Sequence, residues 1–298
     1  MRRLGRPLRL PGGRRLGYDD YGPHDGTPIL LFHGTPSSRC GWYIFAGERL
    51  AETLSLRIIA PDRPGLGLST YQQGRRIADW PADVMALADG LGIDRFAVLG
   101  YSGGGPYAVA CALQIPERLS AAGIVGGTGP YDAPGAMQDV DPAILFLLIL
   151  ARDRPRVAQR VFALLGSLAR RAPRSLIAQA MAALPGPDRD ALAAPEVQQA
   201  VVAAFLEALR PGPRGVRLDT ALMASPWGFD PRGIAMPVRL WHGEEDHFVA
   251  PAMVRRLAEA LPAARVRCYP HEGHVSLLTR YGEEIVGELA AAARAALI

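Results

Sequence analysis

Short, mostly apolar runs alternate along this chain with segments of helical periodicity. The runs are Pro28–Phe32, Leu56–Ala60, Phe96–Gly100, Ala121–Gly126, Val238–Trp241 and Val266–Tyr269. A strand with no polar alternation is one covered on both faces. The stretches between them predict helices over Trp42–Thr53, Ile77–Leu91, Pro106–Gln114, Pro251–Leu261 and Gly282–Ala296. Strands and helices taking turns in this way make an α/β fold, a mostly parallel sheet with helices on both faces. Ahead of the alternation, Leu8–Leu10 and Leu16–Tyr21 flank Pro11-Gly12-Gly13 and predict a hairpin.

One long stretch breaks the rhythm. From Tyr131 to Arg217 no strand pattern occurs, and Ala/Leu/Arg-rich segments are cut by Pro142, Pro155, Pro173, Pro185-Gly186-Pro187 and Pro211-Gly212-Pro213. Prolines that stop one helix after another predict a group of short helices inserted into the sheet domain. The chain therefore divides into a core (1–130), a helical insertion (131–217) and a second part of the core (218–298). The insertion is strongly apolar at Ile144–Ile149 and at Val161, Phe162, Leu164 and Leu165. Such a face either packs on the core or roofs a pocket; both roles are compatible.

Composition narrows the classes without choosing a function. The 298 residues are 49% hydrophobic and 21% charged, which suits a packed globular chain and excludes disorder or a disulfide scaffold. All 33 basic residues are arginine, and lysine and asparagine are absent altogether. The basic isoelectric point is thus a compositional habit and not a nucleic-acid footprint. The arginines Arg2 to Arg15 read as a solvated basic edge. Three cysteines, Cys40, Cys111 and Cys268, form no paired framework. The longest apolar run, Ala143–Ala151, is nine residues, against about 20 for a membrane span. The N-terminus is basic without the apolar stretch of a signal peptide. These features predict a cytoplasmic protein that neither inserts into a membrane nor binds nucleic acid; its oligomeric state is not written in them.

The strongest local signal is Gly100-Tyr101-Ser102-Gly103-Gly104, a G-x-S-x-G turn between a strand and a helix. Such a turn holds its serine in a strained conformation with the side chain pushed outward, and the helix start favours developing negative charge there. Gly103–Ala108 also fits a dinucleotide fingerprint, but the next strand ends in Val125-Gly126-Gly127 with no acid, so no nucleotide cofactor is expected.

A serine hydroxyl needs a base, and the base an orienting acid. His274, just past the last strand, is the preferred base over His271. The acid falls in His242-Gly243-Glu244-Glu245-Asp246, with Asp246 preferred and Glu244 the alternative. The order Ser102, Asp246, His274 along the chain suits this strand–turn–helix architecture. For an oxyanion, the N–H of Gly103 is one donor and that of Thr35, after the first long strand, the second; Pro36 has none to give. The histidine pairs His271/His274 and His242/His247 sit in loops without the spacing of a helical metal site, so no metal is expected.

With these residues assembled, the chain resembles the α/β-hydrolase superfamily. The resemblance is carried by HGTPSSR (33–39), PDRPGLGLS (61–69), GYSGGGPYA (100–108), HGEEDHFVAP (242–251) and EGHVSLL (272–278). It implies an eight-stranded sheet and a helical cap inserted after the sixth strand. Dehalogenases and epoxide hydrolases of that superfamily carry an aspartate at the elbow, where Ser102 stands here, so acyl transfer is implied. Proline iminopeptidases usually carry a tryptophan where this chain has Gly103, and their caps group carboxylates; here Asp132, Asp139, Asp141 and Glu207 are scattered. The expectation is a serine hydrolase cleaving a small-to-medium, largely apolar carboxylic ester, with a small molecule as its partner. A C–C bond hydrolase or aminopeptidase of the same fold is the alternative, the former with Arg152, Arg154 or Arg156 as candidate groups for a dicarboxylate. A non-hydrolytic receptor or lyase is the alternative of another class.

Overall fold

The structure, a computed structural model, describes residues 2–45, 47–131, 140–173, 184 and 186–297. Its strands are β1 (Arg2–Arg9), β2 (Arg15–Tyr21), β3 (Thr27–Phe32), β4 (Leu56–Pro61), β5 (Phe96–Tyr101), β6 (Leu119–Val125), β7 (Val238–Gly243) and β8 (Ala264–Tyr269). They form one sheet in the order β1-β2-β4-β3-β5-β6-β7-β8. β2 runs antiparallel to both its neighbours, and β3 to β8 are parallel.

The pleat explains the unbroken apolar runs. Ile29 and Leu31 point to one face, where Trp42, Leu50, Leu277, Ile285 and Leu289 cover them. Leu30 and Phe32 point to the other, under Trp80, Val84, Val109 and Met253. With both faces dry, neither set of positions tolerates a polar residue.

Element ends differ from the sequence pattern for identifiable reasons. β1 reaches back to Arg2 because strand pairing with β2, not apolarity, defines it. Arg3 is not merely solvated: it and Arg57 share the buried carboxylate of Asp20. The segment expected as one helix over Trp42–Thr53 is a 3-10 helix, Arg39–Phe45, followed by an α-helix, Gly47–Thr53. The last helix starts at Ser276, not Gly282. Burial of Leu277 and Leu278 outweighs the helix penalty of Gly282, about 1 kcal/mol.

Between β6 and β7 the described α-helices are Pro142–Asp153, Pro155–Arg171, Gly186–Ala193, Pro195–Ala208 and Pro213–Met223. All five carry proline in the first turn, where its missing N–H costs nothing. The boundary read at Arg217 falls inside the last of these helices. Ala151, Ala158, Phe162, Ala208, Leu209 and Val216 make a small core of their own that takes in Leu66. Among the described residues no helix is long and apolar enough to cross a membrane.

Candidate active site

The chain turns from β5 into the helix Gly105–Gln114 through one tight turn, Ser102–Gly104. Ser102 sits there at φ +53°, in the left-handed region, at a cost of about 1–3 kcal/mol for a residue with a Cβ. The crossing is close: a Cβ on Gly100 would stand 2.6 Å from the Gly104 carbonyl oxygen, and one on Gly104 would run into the Phe32 carbonyl. Only glycine at both positions lets strand and helix meet so near the serine.

Asp246 and His274 come together from the ends of β7 and β8. Asp246 Oδ2 lies 2.7 Å from His274 Nδ1. Its Oδ1 accepts the N–H groups of Phe248 and Val249 at 2.9 and 2.8 Å. The carboxylate is therefore locked on one side and faces the imidazole on the other. Burial by itself lowers the pKa of His274; the Asp246 carboxylate reverses this and leaves it raised. With Nδ1 engaged, Nε2 is the ring nitrogen left to act. The imidazole lies between Tyr101, the residue before Ser102, and Phe248, with centroids 4.9 and 5.1 Å away. The competing residues go elsewhere: His271 is exposed and meets Glu245, and Glu244 is exposed.

The loop after β3 passes directly over the turn. A Cβ on Gly34 would stand 3.2 Å from Ser102 Cβ, and one on Gly103 would stand 3.1 Å from the Thr35 backbone nitrogen. Thr35 is held by a buried charge cluster. Its hydroxyl donates to Asp219 Oδ2 at 2.6 Å and accepts from Arg63 Nη2 at 2.8 Å. Arg63 also donates to the carbonyls of His33 and Gly34 and to Asp219. Arg75 and the Tyr107 hydroxyl complete the set around Asp219. Burial tends to raise the pKa of Asp219, but Arg63 and Arg75 hold it far below the usual carboxylate range. Two guanidinium groups against one carboxylate leave one positive charge behind the loop.

Ser102, Gly103 and Thr35 open into a cavity of ≈ 240 Å³. Ile144, Leu147 and Leu148 wall it from the insertion, with Phe162 and Met223, and Phe248 and Val249 close it from the rim. Among the described residues no charged side chain lines it. Arg152 pairs with Asp153 and the Ala224 carbonyl, Arg154 donates to the Asp153 carbonyl, and Arg156 is exposed. Asp141 caps its own helix, and Glu207 pairs with Arg39. Asp132 and Asp139 lie outside the described residues.

Sequence reasoning missed Asp219, Arg75 and the work of Arg63. Arg63 stands inside the quoted PDRPGLGLS segment, which was a signal of sorts. Asp219 carried none, since its partner Thr35 is 184 residues away.

Comparison with known proteins agrees with this architecture. The chain is 25% identical over 271 residues to a 2-hydroxy-6-oxo-2,4-heptadienoate hydrolase of Pseudomonas putida, covering 89% of this chain and 88% of that one. It is 28% identical over 265 residues to a pimeloyl-[acyl-carrier protein] methyl ester esterase of Nitrosomonas europaea, covering 86% and 91%. Among solved structures, a thermophilic esterase from Thermogutta terrifontis superposes with a TM-score of 0.68 over 98% of this chain and 99% of its own, at 24% identity, a likeness of fold. The family profile described as the alpha/beta hydrolase fold matches residues 27–281, and the chain belongs to that family.

Proposed function

We propose that this chain is a serine hydrolase of small-to-medium, largely apolar carboxylic esters. The observation that carries the reading is the buried, hydrogen-bonded Asp246–His274 pair on the same rim as a strained Ser102 that floors an apolar cavity. In the first half-reaction Ser102 Oγ attacks the ester carbonyl carbon as its proton passes to His274 Nε2. Charge gathers on the carbonyl oxygen, where the N–H groups of Gly103 and Thr35 receive it. The net positive charge of the Arg63–Asp219–Arg75 cluster adds to that field. Collapse expels the alkoxide, which takes the proton from His274, and leaves the acyl group on Ser102. In the second half-reaction water gives a proton to His274 and adds to the acyl carbon. The Ser102 ester bond then breaks, the proton returns to Oγ, and a carboxylic acid departs. Asp246 keeps the imidazole in the required tautomer and stabilises its cation.

The cavity favours this reading over its rivals. A dienoate bearing a carboxylate, or a peptide bearing a free amine, needs an opposite charge in the pocket. The lining offers neither cation nor carboxylate among the described residues. The test is a fluorophosphonate probe read by intact-protein mass spectrometry, followed by aryl esters of rising acyl length. One adduct at Ser102 and ester turnover, both lost in Ser102→Ala, are expected. Retained turnover in Ser102→Ala would remove the acyl-enzyme mechanism, and a tight ligand with no adduct and no turnover would favour a receptor.

A further inference from the structure

We propose that Asp188, on the inserted helix Gly186–Ala193, is a positioning residue for His274, so that the insertion sets the place of the general base as well as walling the pocket. The proposal rests on the catalytic reading above. Asp188 is fully buried. Its Oδ2 accepts the backbone N–H of His274 at 2.9 Å. Its Oδ1 accepts those of Val275 at 2.8 Å and Ser276 at 3.0 Å.

These amides stand at the start of the helix Ser276–Ala295, where N–H groups have no partner within the helix. A helix ordinarily meets that need with a side chain of its own N-cap. Here the cap position is Val275, which has no acceptor. The carboxylate arrives instead from 86 residues upstream, at the positive end of the helix. The fit is close: a Cβ on Gly273 would stand 2.5 Å from the carboxyl carbon and from both oxygens of Asp188. The loop Glu272-Gly273-His274 is thus shaped to admit this acid and is incomplete without it.

His274 is consequently gripped twice, by Asp188 at its backbone and by Asp246 at its ring. The titratable groups around it are Asp246, Asp188 and Tyr101, with His242 behind Asp246. Both carboxylates favour the imidazolium, Asp246 the more strongly. A group that merely capped a helix would affect stability; a group that positions and polarises the base also moves the pH profile.

The experiment uses the full chain with Asp188→Asn and Asp188→Ser, beside wild type and Ser102→Ala. kcat and KM for an apolar aryl ester are measured across the pH range, with the melting temperature and hydrogen exchange at residues 274–276. For either folded variant, kcat is expected to fall by about 10²-fold with KM little changed, the loss typical of a small displacement of a reacting group. The acid limb of kcat/KM moves to lower pH, and the three amides exchange faster. Near wild-type kcat in a folded variant overturns the proposal. So does a loss that follows only the folded fraction, with the acid limb unmoved. If neither variant folds, the carboxylate is a folding determinant and the positioning role is withdrawn. A wild type without ester turnover or a Ser102 adduct sinks the catalytic reading itself, an outcome separate from those on Asp188.

Discussion

Replacing Asp219 by asparagine removes one negative charge from a site that holds two buried cations. The Arg63 side chain is 0% exposed and that of Arg75 2%. Asp219 accepts from Thr35 Oγ1, Nε and Nη2 of Arg63, Nη2 of Arg75 and the Tyr107 hydroxyl. Asparagine keeps one acceptor oxygen but turns a donor toward the remaining N–H groups. Taking one partner from a buried ion pair costs about 3–5 kcal/mol. At roughly 2–4 °C per kcal/mol for a large domain, Asp219→Asn should melt about 6–20 °C below wild type. Removing the surplus cation as well, in Asp219→Asn/Arg75→Met, should recover part of the loss. With Thr35 as the proposed oxyanion donor, activity should fall too as its amide loses its anchor; loss of one oxyanion donor, about 10²–10³ in kcat, is the upper bound. The sign with pH follows from the depressed pKa of Asp219. Its contribution is complete above the unfolded carboxylate value, about 4, and is lost as pH falls toward the much lower folded value. The gap between wild type and variant should therefore be flat at neutral pH and shrink only in acid. The assay is thermal melting by near-ultraviolet circular dichroism, with ester turnover on the same samples. A folded Asp219→Asn that melts with wild type would refute the charge argument.

The remaining predictions concern the rim and the cavity. Asp246→Asn should lower kcat by about 10⁴, since the amide no longer holds the reactive tautomer of His274; steady-state turnover decides it. With His274 as the proposed base, active when neutral, and its pKa raised, the acid limb of kcat/KM should lie above the ordinary imidazole value of about 6.5. A limb below that value contradicts the Asp246 pairing. Ile144→Trp should shift the preferred acyl group to shorter chains by filling the pocket. Phe162→Ala should shift it to longer ones while destabilising the fold by about 3–5 kcal/mol, since Phe162 is buried. A series of aryl esters with a melting curve for each variant reads both.

What the sequence determined by itself was what neighbouring residues encode. Double-sided burial wrote β3, β5 and β6 as unbroken apolar runs, and the strand-to-helix reversal required glycines on both sides of Ser102. Rows of helix-starting prolines marked the insertion. β1 was half hidden because an edge strand is defined by its partner, and the start of the last helix was hidden because burial of Leu277 and Leu278 overrode Gly282. Only the tertiary structure parts the histidines in space, sending His271 outward and His274 inward against Asp246. Only it joined Asp219 to Thr35 and Asp188 to His274. Those contacts link single residues across the whole fold, and a lone carboxylate on a helix leaves no periodic trace of the group it will meet. Pattern reaches as far as the few residues that share a strand or a turn; beyond that, packing alone decides which charges are buried together.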